Sequence, residues 1–224
     1  DDTTFYPDKG RERIKAMIET RPDWCVSRQR VWGVPLPIFV HKTSKEILAD
    51  DEVNENIAKI YEKEGSDCWF SDDPQRFLGD KYKAEEYDKI NDIVEVWFDS
   101  GCTHAFVLEK REDLQWPASM YLEGSDQHRG WFHSSLLESC GTRGRAPYES
   151  ILSHGFVVDG KGLKMSKSVG NVIAPEDILK KYGADILRIW VASSNYAEDL
   201  RIDYSILEQH ADSYRKIRNT FRYL

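Results

Sequence analysis

The sequence lacks an apolar run long enough to cross a bilayer, and its first residues (DDTT) lack the basic and then apolar pattern of a signal peptide. Its 224 residues are 40% hydrophobic and 31% charged, which is typical of a globular protein of one or two domains with a core of its own. We therefore expect a cytoplasmic protein without a membrane partner.

Closely spaced cysteines are also missing. Cys25, Cys68, Cys102 and Cys140 lie far apart, and none forms a Cys-x-x-Cys pair. This excludes the usual zinc spacings and a compact disulfide framework. Four free thiols indicate a reducing compartment. We expect no protein-bound zinc and no metal-ligating residues.

Positive net charge is absent, since the formal charge is −8, and this argues against nucleic acid as a partner. The acidity is concentrated in residues 41–96, which hold 16 acidic and 8 basic residues, while the rest of the chain holds 23 of each sign. Residues 211–224 are basic, with Arg215, Lys216, Arg218 and Arg222 against Asp212. A local contact with a polyanion is compatible with this helix, although charge alone favours a solvated face.

Apolar periodicity and capping signals predict an α/β order from residue 92 onward. Helices are predicted at residues 11–19, 52–63, 126–140, 175–183, 184–193 and from about 203, with a helical turn after Pro74. Strands are predicted at residues 34–40 (an edge), 68–70, 93–98, 119–123 and 150–158. Ligands of parallel sheets bind beyond the carboxyl ends of the strands, so we expect a site after Phe98, Glu123 and Val158.

Lysines and hydroxyls follow the last of these strands. Residues 159–171 form a glycine-hinged loop with Lys161, Lys164, Lys167, Ser166 and Ser168. Mobile ammonium groups and hydroxyls suit a polyphosphate, and the absence of G-x-x-x-x-G-K-[ST] excludes a P-loop. Composition alone still favours a solvated loop.

The string KMSKS at residues 164–168 resembles the second signature of class I aminoacyl-tRNA synthetases. Five further stretches resemble the bacterial isoleucyl type of this family in the same order: WCVSRQRVWGVP at 24–35, VWFDSG at 96–101, YLEGSDQHRGWF at 121–132, HGF at 154–156 and GADILR at 183–188. The acidic segment matches least.

The resemblance implies that ATP activates isoleucine to isoleucyl-adenylate, which then passes to tRNA(Ile), in a monomeric enzyme with Mg²⁺ accompanying ATP. It makes Lys167 the main ATP-contacting lysine and Lys164 its helper. The neighbouring Met165, Ser166 and Ser168 are expected at the same phosphates.

Further positions carry over from the same family. Adenylate-binding positions are implied for Glu123, Gly124, Asp126, Gln127, His154, Phe156 and Val157. Ser125 or Asp126 could instead only cap a helix, and His154 could equally be a core histidine. Trp97 and Trp131 are implied as walls of the isoleucine pocket, against the alternative of ordinary core packing. Residues 27–33 are expected to be structural, with contact to the tRNA acceptor end as the alternative.

The first class I signature, His-x-Gly-His, is absent. We therefore expect part of a longer synthetase: the second half of a Rossmann-like parallel-sheet domain with a small α+β insertion and the start of a helical domain. The expected boundaries are 1–40 (re-entry segment), 41–92 (insertion), 93–198 (catalytic half) and 199–224 (helical anticodon-binding domain). The isolated chain is expected to be inactive. The alternatives are a valyl or leucyl relative, a non-catalytic RNA-binding module and an unrelated α/β nucleotidyltransferase.

Overall fold

The computed structural model describes residues 2–224, which form two compact units. One unit comprises the described residues up to Glu19 with Gln115–His133 and Ala146–Leu224, and the other comprises Thr20–Leu114 and Ser134–Arg145. Within residues 2–224, no helix is both long enough and apolar enough to cross a membrane.

The described chain contains nine strands and nine α-helices. The strands are β1 (Thr4–Tyr6), β2 (Ser27–Arg28), β3 (Phe39–His41), β4 (Tyr87–Lys89), β5 (Ile93–Val94), β6 (Tyr121–Gly124), β7 (Ser150–His154), β8 (Val157–Asp159) and β9 (Leu200–Ile202). The helices are α1 (Lys9–Glu19), α2 (Asp51–Glu64), α3 (Cys68–Ser71), α4 (Pro74–Leu78), α5 (Val96–Gly101), α6 (Trp131–Arg143), α7 (Pro175–Tyr182), α8 (Ala184–Ser193) and α9 (Tyr204–Tyr223). Shorter helical turns lie at Ala84–Glu86 and Ser125–His128, and a π-helical turn lies at His104–Leu108.

The first unit is built on a parallel sheet with the strand order β1-β7-β6. Phe5 of β1 and Tyr121 of β6 both pair with Ile151, which is fully buried at the centre of the sheet. All three strands therefore end at the same edge. A parallel sheet with strands near residues 119–123 and 150–158 was predicted, whereas the prediction missed β1.

A second parallel pair, β8 and β9, connects this sheet to three packed helices. Ile178 of α7, Ile186 and Trp190 of α8 and Leu207 of α9 form their common core. The Asp203 carboxylate begins α9 by accepting a hydrogen bond from the backbone N–H of Ile206 at 2.7 Å, as an N-cap residue does. These three helices confirm the sequence prediction.

The second unit holds the acidic segment, which has its own aromatic core. Phe39, Val53, Ile57, Trp69 and Phe77 pack together there, with Leu78 beside them. The Asp50 carboxylate caps α2 through the backbone N–H groups of the second and third helical residues, at 3.0 and 3.3 Å. The predicted helix at residues 52–63 is confirmed.

Two short strands were predicted wrongly in this unit. Residues 68–70 form part of α3, because the Trp69 ring enters the aromatic core while its indole N–H donates to the Ile90 carbonyl at 2.8 Å. Of the predicted edge strand at 34–40, only the end belongs to β3. Pro35 forms an isolated bridge to Ile93, as its missing N–H leads one to expect.

The strand predicted at residues 93–98 is also wrong in its second half. Only β5 is extended, and it pairs antiparallel with β2 instead of joining the parallel sheet. The Glu95 carboxylate then accepts a hydrogen bond from the Trp97 N–H at 3.0 Å and begins α5. Phe98 therefore does not follow a parallel strand, and Trp97 lies in the first turn of a helix.

Two breaks were missed in the first unit. The helix predicted at 126–140 is a 3₁₀ turn followed by α6, so Trp131 is the first residue of that helix. The strand predicted at 150–158 divides into β7 and β8 at Gly155 and Phe156. A Cβ on Gly155 would overlap the Glu198 backbone, and the Phe156 N–H donates to the Asp199 carboxylate at 2.8 Å.

Candidate active site

The carboxyl ends of β6 and β7 bring three predicted residues together. Glu123 pairs with Ser153, and Gly124 pairs with His154. A Cβ on Gly124 would lie 2.7 Å from the Asp126 carboxylate and 3.8 Å from the His154 ring. Only glycine leaves the backbone open to a close approach at this point.

The turn after Gly124 settles which residue caps α6. The Gln127 side-chain carbonyl accepts a hydrogen bond from the Trp131 N–H at 2.8 Å, and its amide donates to the Asp126 carboxylate at 3.3 Å. The sequence offered Ser125 or Asp126 as the capping residue of this helix. In the structure the capping side chain is that of Gln127. Asp126 is held in place by that amide.

The Trp131 ring is used in packing within the sheet unit. Its ring stacks on Tyr121 with the centroids 4.0 Å apart and the planes 7° apart. One ring face is therefore covered within the sheet unit. Trp97 belongs to the other unit, where it is 43% exposed.

His154 is the last residue of β7, and the residues after it lead into β8. The His154 imidazole lies 2.8 Å from the Gly155 carbonyl, so this ring nitrogen is the donor. Phe156 and Val157 are 50% and 44% exposed. Two apolar side chains beside an imidazole at a strand end are suited to contact a flat apolar ring.

The lysine loop, residues 159–171, is organised by two side chains that sequence reasoning treated only as its ends. The Asp159 carboxylate accepts from the backbone N–H groups of Lys161 and Leu163 at 2.9 and 2.8 Å and from the Asn171 amide at 2.9 Å. These hydrogen bonds lower the pKa of Asp159 below its ordinary value, and the bond from Asn171 contributes most. The Asn171 side chain also accepts from the Ser166 N–H at 2.9 Å and donates to the Lys164 carbonyl at 3.1 Å.

The side chains of the loop have different environments. Lys164 and Lys167 are exposed, and neither has an acidic partner among the described residues. Met165 packs against the core of α7, α8 and α9. The Ser166 hydroxyl accepts from the Val169 N–H at 3.3 Å and lies 3.2 Å from the Ser168 hydroxyl. The loop therefore has an anchored backbone and free ammonium groups.

A buried histidine that sequence reasoning missed lies behind the same edge. His128 donates from Nδ1 to the Ser125 carbonyl at 2.8 Å, while its Nε2 has no partner in the described part of the chain. Burial lowers its pKa, so the ring is neutral and Nε2 is an acceptor. His128 lines a cavity of about 230 Å³ with Lys9, Arg13, Ser153 and Asp199. The string SDQH carries no signal of this burial.

Two residues of the segment 27–33, Arg28 and Gln29, hold the local backbone and a neighbouring loop in place. The Arg28 guanidinium donates to the carbonyls of Cys25 and Ser27 at 2.6 and 2.8 Å, and the Gln29 amide donates to Asp92 at 2.8 Å. Trp32 is 91% exposed and shows no packing role in this unit.

The parallel sheet, the open edge at Gly124 and the lysine loop form a Rossmann-like α/β unit, and the family comparison shows the class of protein to which it belongs. Residues 1–203 match the family model "tRNA synthetases class I (I, L, M and V)", and the chain belongs to this family. It is 96% identical over its whole length to the isoleucine–tRNA ligase of Pelagibacter ubique. It is 58% identical over its whole length to that of Zymomonas mobilis. The chain spans about a quarter of the length of these relatives, 25% and 24%.

Solved structures agree on the fold. A LeuRS of Agrobacterium radiobacter K84, in a ternary complex with tRNA and LeuAMS, matches 94% of this chain and 30% of its own with a TM-score of 0.62 at 20% identity. The methionyl-tRNA synthetase of Mycobacterium tuberculosis, in complex with methionyl-adenylate, matches 92% of this chain and 32% of its own with a TM-score of 0.58 at 18% identity. The predicted Rossmann-like α/β class is confirmed, and so is the class I family.

Proposed function

We propose that this chain is a segment of a longer isoleucine–tRNA ligase and supplies part of its adenylate-forming site. The observation that carries the proposal is the 96% identity over the whole chain to the Pelagibacter ubique ligase. An identity this high leaves little room for a change of substrate. In that enzyme ATP and isoleucine would give isoleucyl-adenylate and pyrophosphate, and the isoleucyl group would pass to tRNA(Ile).

The first step needs positioning and charge stabilisation more than proton transfer. The isoleucine carboxylate is ionised at neutral pH and attacks the α-phosphorus of ATP while pyrophosphate leaves. Negative charge then develops on the leaving group. Lys167, assisted by Lys164, is proposed to stabilise it. The exposed ammonium groups on an anchored loop support this assignment.

The strand edge is proposed to hold the adenylate. Glu123, Gly124, Asp126 and Gln127 would take its polar groups, since the register and the hydrogen bonds of the turn gather them beside His154. Phe156 and Val157 would contact the adenine. Trp97 and Trp131 are each proposed to contact the isoleucine side chain.

Magnesium is proposed to enter with ATP and to be held by phosphate oxygens and water. Among residues 2–224, no group of three or more histidine, cysteine or acidic side chains is close enough to hold a metal ion. The loop offers lysines and hydroxyls, which bind phosphate and leave the cation to the nucleotide. The proposed enzyme is a monomer of the cytoplasm.

Amino-acid-dependent ATP–pyrophosphate exchange tests the proposal in the longer enzyme that contains this chain. We expect exchange with isoleucine, weaker exchange with valine and almost none with leucine. A preference for valine or leucine would reassign the enzyme to a sister type. Without exchange, retained tRNA binding would favour the RNA-binding module. The 224-residue chain serves as a second sample, and we expect it to be inactive alone.

A further inference from the structure

A carboxyl group is packed directly against the end of the helix that carries Trp97. Gly101, the last residue of α5, lies so close to Glu138 of α6 that a Cβ on the glycine would overlap both carboxyl oxygens. Since α5 has only six residues, Trp97 and Gly101 are one turn apart in a single short rigid element. Any movement of Gly101 therefore moves Trp97.

The same carboxyl group is tied to the residue after α5. The Cys102 thiol donates to Glu138 Oε2 at 3.1 Å, while the other oxygen, Oε1, is buried with no hydrogen-bond partner among residues 2–224. Burial, the Glu138 hydrogen bond and nearby acidic groups raise the pKa of Cys102 to about 12, so the thiol keeps its proton and remains a donor.

The groups that face Glu138 favour its neutral form. Asp99 faces it from α5, and Asp99 itself faces Glu95. Arg143, on the same helix as Glu138, is engaged by Glu109 at 2.8 and 2.9 Å. The His104 ring lies buried nearby, with its pKa lowered by burial. Burial, reinforced by Asp99, raises the pKa of Glu138 to about 7, against the opposing effect of the thiol bond.

We propose that Glu138 is a positioning residue that fixes α5, and through it Trp97, for the binding of isoleucine. This rests on the proposed function of Trp97 as a contact of the amino acid. A neutral carboxyl fills the space beside Gly101 and accepts the thiol hydrogen bond without placing charge in a buried site. An ionised carboxylate would be repelled by Asp99 and would leave a charged oxygen unpaired. The helix would then loosen at its carboxyl end.

The test uses the longer enzyme, with KM for isoleucine, KM for ATP and kcat of pyrophosphate exchange measured from pH 6 to pH 8.5. We expect Glu138→Ala to raise KM for isoleucine about tenfold, the scale of one lost hydrophobic contact in a pocket, without changing KM for ATP. Glu138→Gln keeps the shape and the acceptor, so it should retain the parent KM. The parent KM for isoleucine should rise as pH passes about 7, and the Gln variant should remain flat.

A purely structural role would lower the melting temperature and the active fraction while leaving KM unchanged, and that result would overturn the proposal. A parent KM that is flat across the pH range would also overturn it. Trp97→Ala separates this inference from the proposed function. If that variant leaves KM for isoleucine unchanged, the assignment of Trp97 fails and the inference fails with it. If it raises KM while both Glu138 variants behave as the parent, only the inference fails.

Discussion

The strand edge at Gly124 and the lysine loop are both candidate ligand contacts, but they are held in different ways. The edge is fixed by a main-chain ladder in which Glu123 and Gly124 are paired with β7. The lysine loop owes its shape to two side chains, Asp159 and Asn171, which together bind four of its backbone groups.

This difference matches two kinds of task. A ladder gives an unchanging surface, which suits recognition of a nucleoside and an amino acid. Side-chain ties hold a backbone shape while leaving the ammonium groups of Lys164 and Lys167 free to follow a phosphate as its charge develops. The comparison also implies that damage to the edge should affect folding, whereas damage to the loop should affect catalysis.

Removing Lys167 should produce the largest effect and separate catalysis from stability. In the longer enzyme we expect Lys167→Ala to lower kcat for pyrophosphate exchange by about 10²–10³-fold, as loss of one charge-stabilising donor does. The melting temperature should not change, because the side chain is exposed and unpaired. Lys180→Ala, an exposed lysine of α7, is the matched control. Equal losses in both variants would contradict the comparison.

A methyl group at the edge should act on folding. Gly155→Ala places a Cβ against the Glu198 backbone, so we expect the free energy of unfolding to fall by about 2–3 kcal/mol. Gly141→Ala is the control: it lies in α6 with open space around it and should gain about 0.5–1 kcal/mol. Urea denaturation of the 224-residue chain measures both. A Gly155 variant as stable as its parent would show that the Glu198 backbone can move away from the added methyl group, which would contradict a rigid edge.

Cutting one tie of the loop should have a smaller effect on activity. Asn171→Ala removes the bonds to Asp159, Ser166 and Lys164, and we expect kcat/KM for ATP to fall about tenfold with little change in melting temperature. An unchanged kcat/KM would mean that the loop takes its working shape from ATP alone.

Acid should loosen the lysine loop before it affects the edge. Since its hydrogen bonds lower the pKa of Asp159, the stabilisation by the carboxylate is complete above the ordinary value of 3.8 and is lost as pH falls through the lower folded pKa. The amide signals of Lys161 and Leu163 should therefore titrate below pH 3.8, which a series of NMR spectra would show. In Asp159→Asn that titration should vanish. If the amide signals of Glu123 and Gly124 titrate with the same midpoint, the edge and the loop do not differ in their response to acid.

Regular elements and their caps were predictable where the local signals agree. Pro175 at the start of α7, Gly183 after it and Asp203 before α9 carry standard start and stop chemistry, and the helices begin and end there. β6 was found from its apolar run and the glycine that ends it. The motif residues Glu123, Gly124 and His154 were expected at the site, and the register brings them together.

Errors arose where a distant partner overrides local preference. Residues 68–70 have too few positions to show a period, and Trp69 is helical because the aromatic core takes its ring. The run at 93–98 is apolar except for Glu95, and the run alone does not show that the Glu95 carboxylate will cap a helix. β9 was not predicted, because it has only three residues and is extended only through its pairing with β8. The burial of His128 and Glu138 follows from tertiary packing, which no spacing in the sequence encodes.

One carboxylate links the lysine loop to the last helix. Asp203 caps α9 and also lies so close to Gly160 that a Cβ on that glycine would overlap it, while β9 runs alongside β8 just before this point. The first residues of the loop and the first turn of α9 therefore move together. If α9 tilts, either the Asp203 cap breaks or the lysine loop moves with the helix. The positions that the lysines can occupy therefore depend partly on a helix more than 30 residues further along the chain.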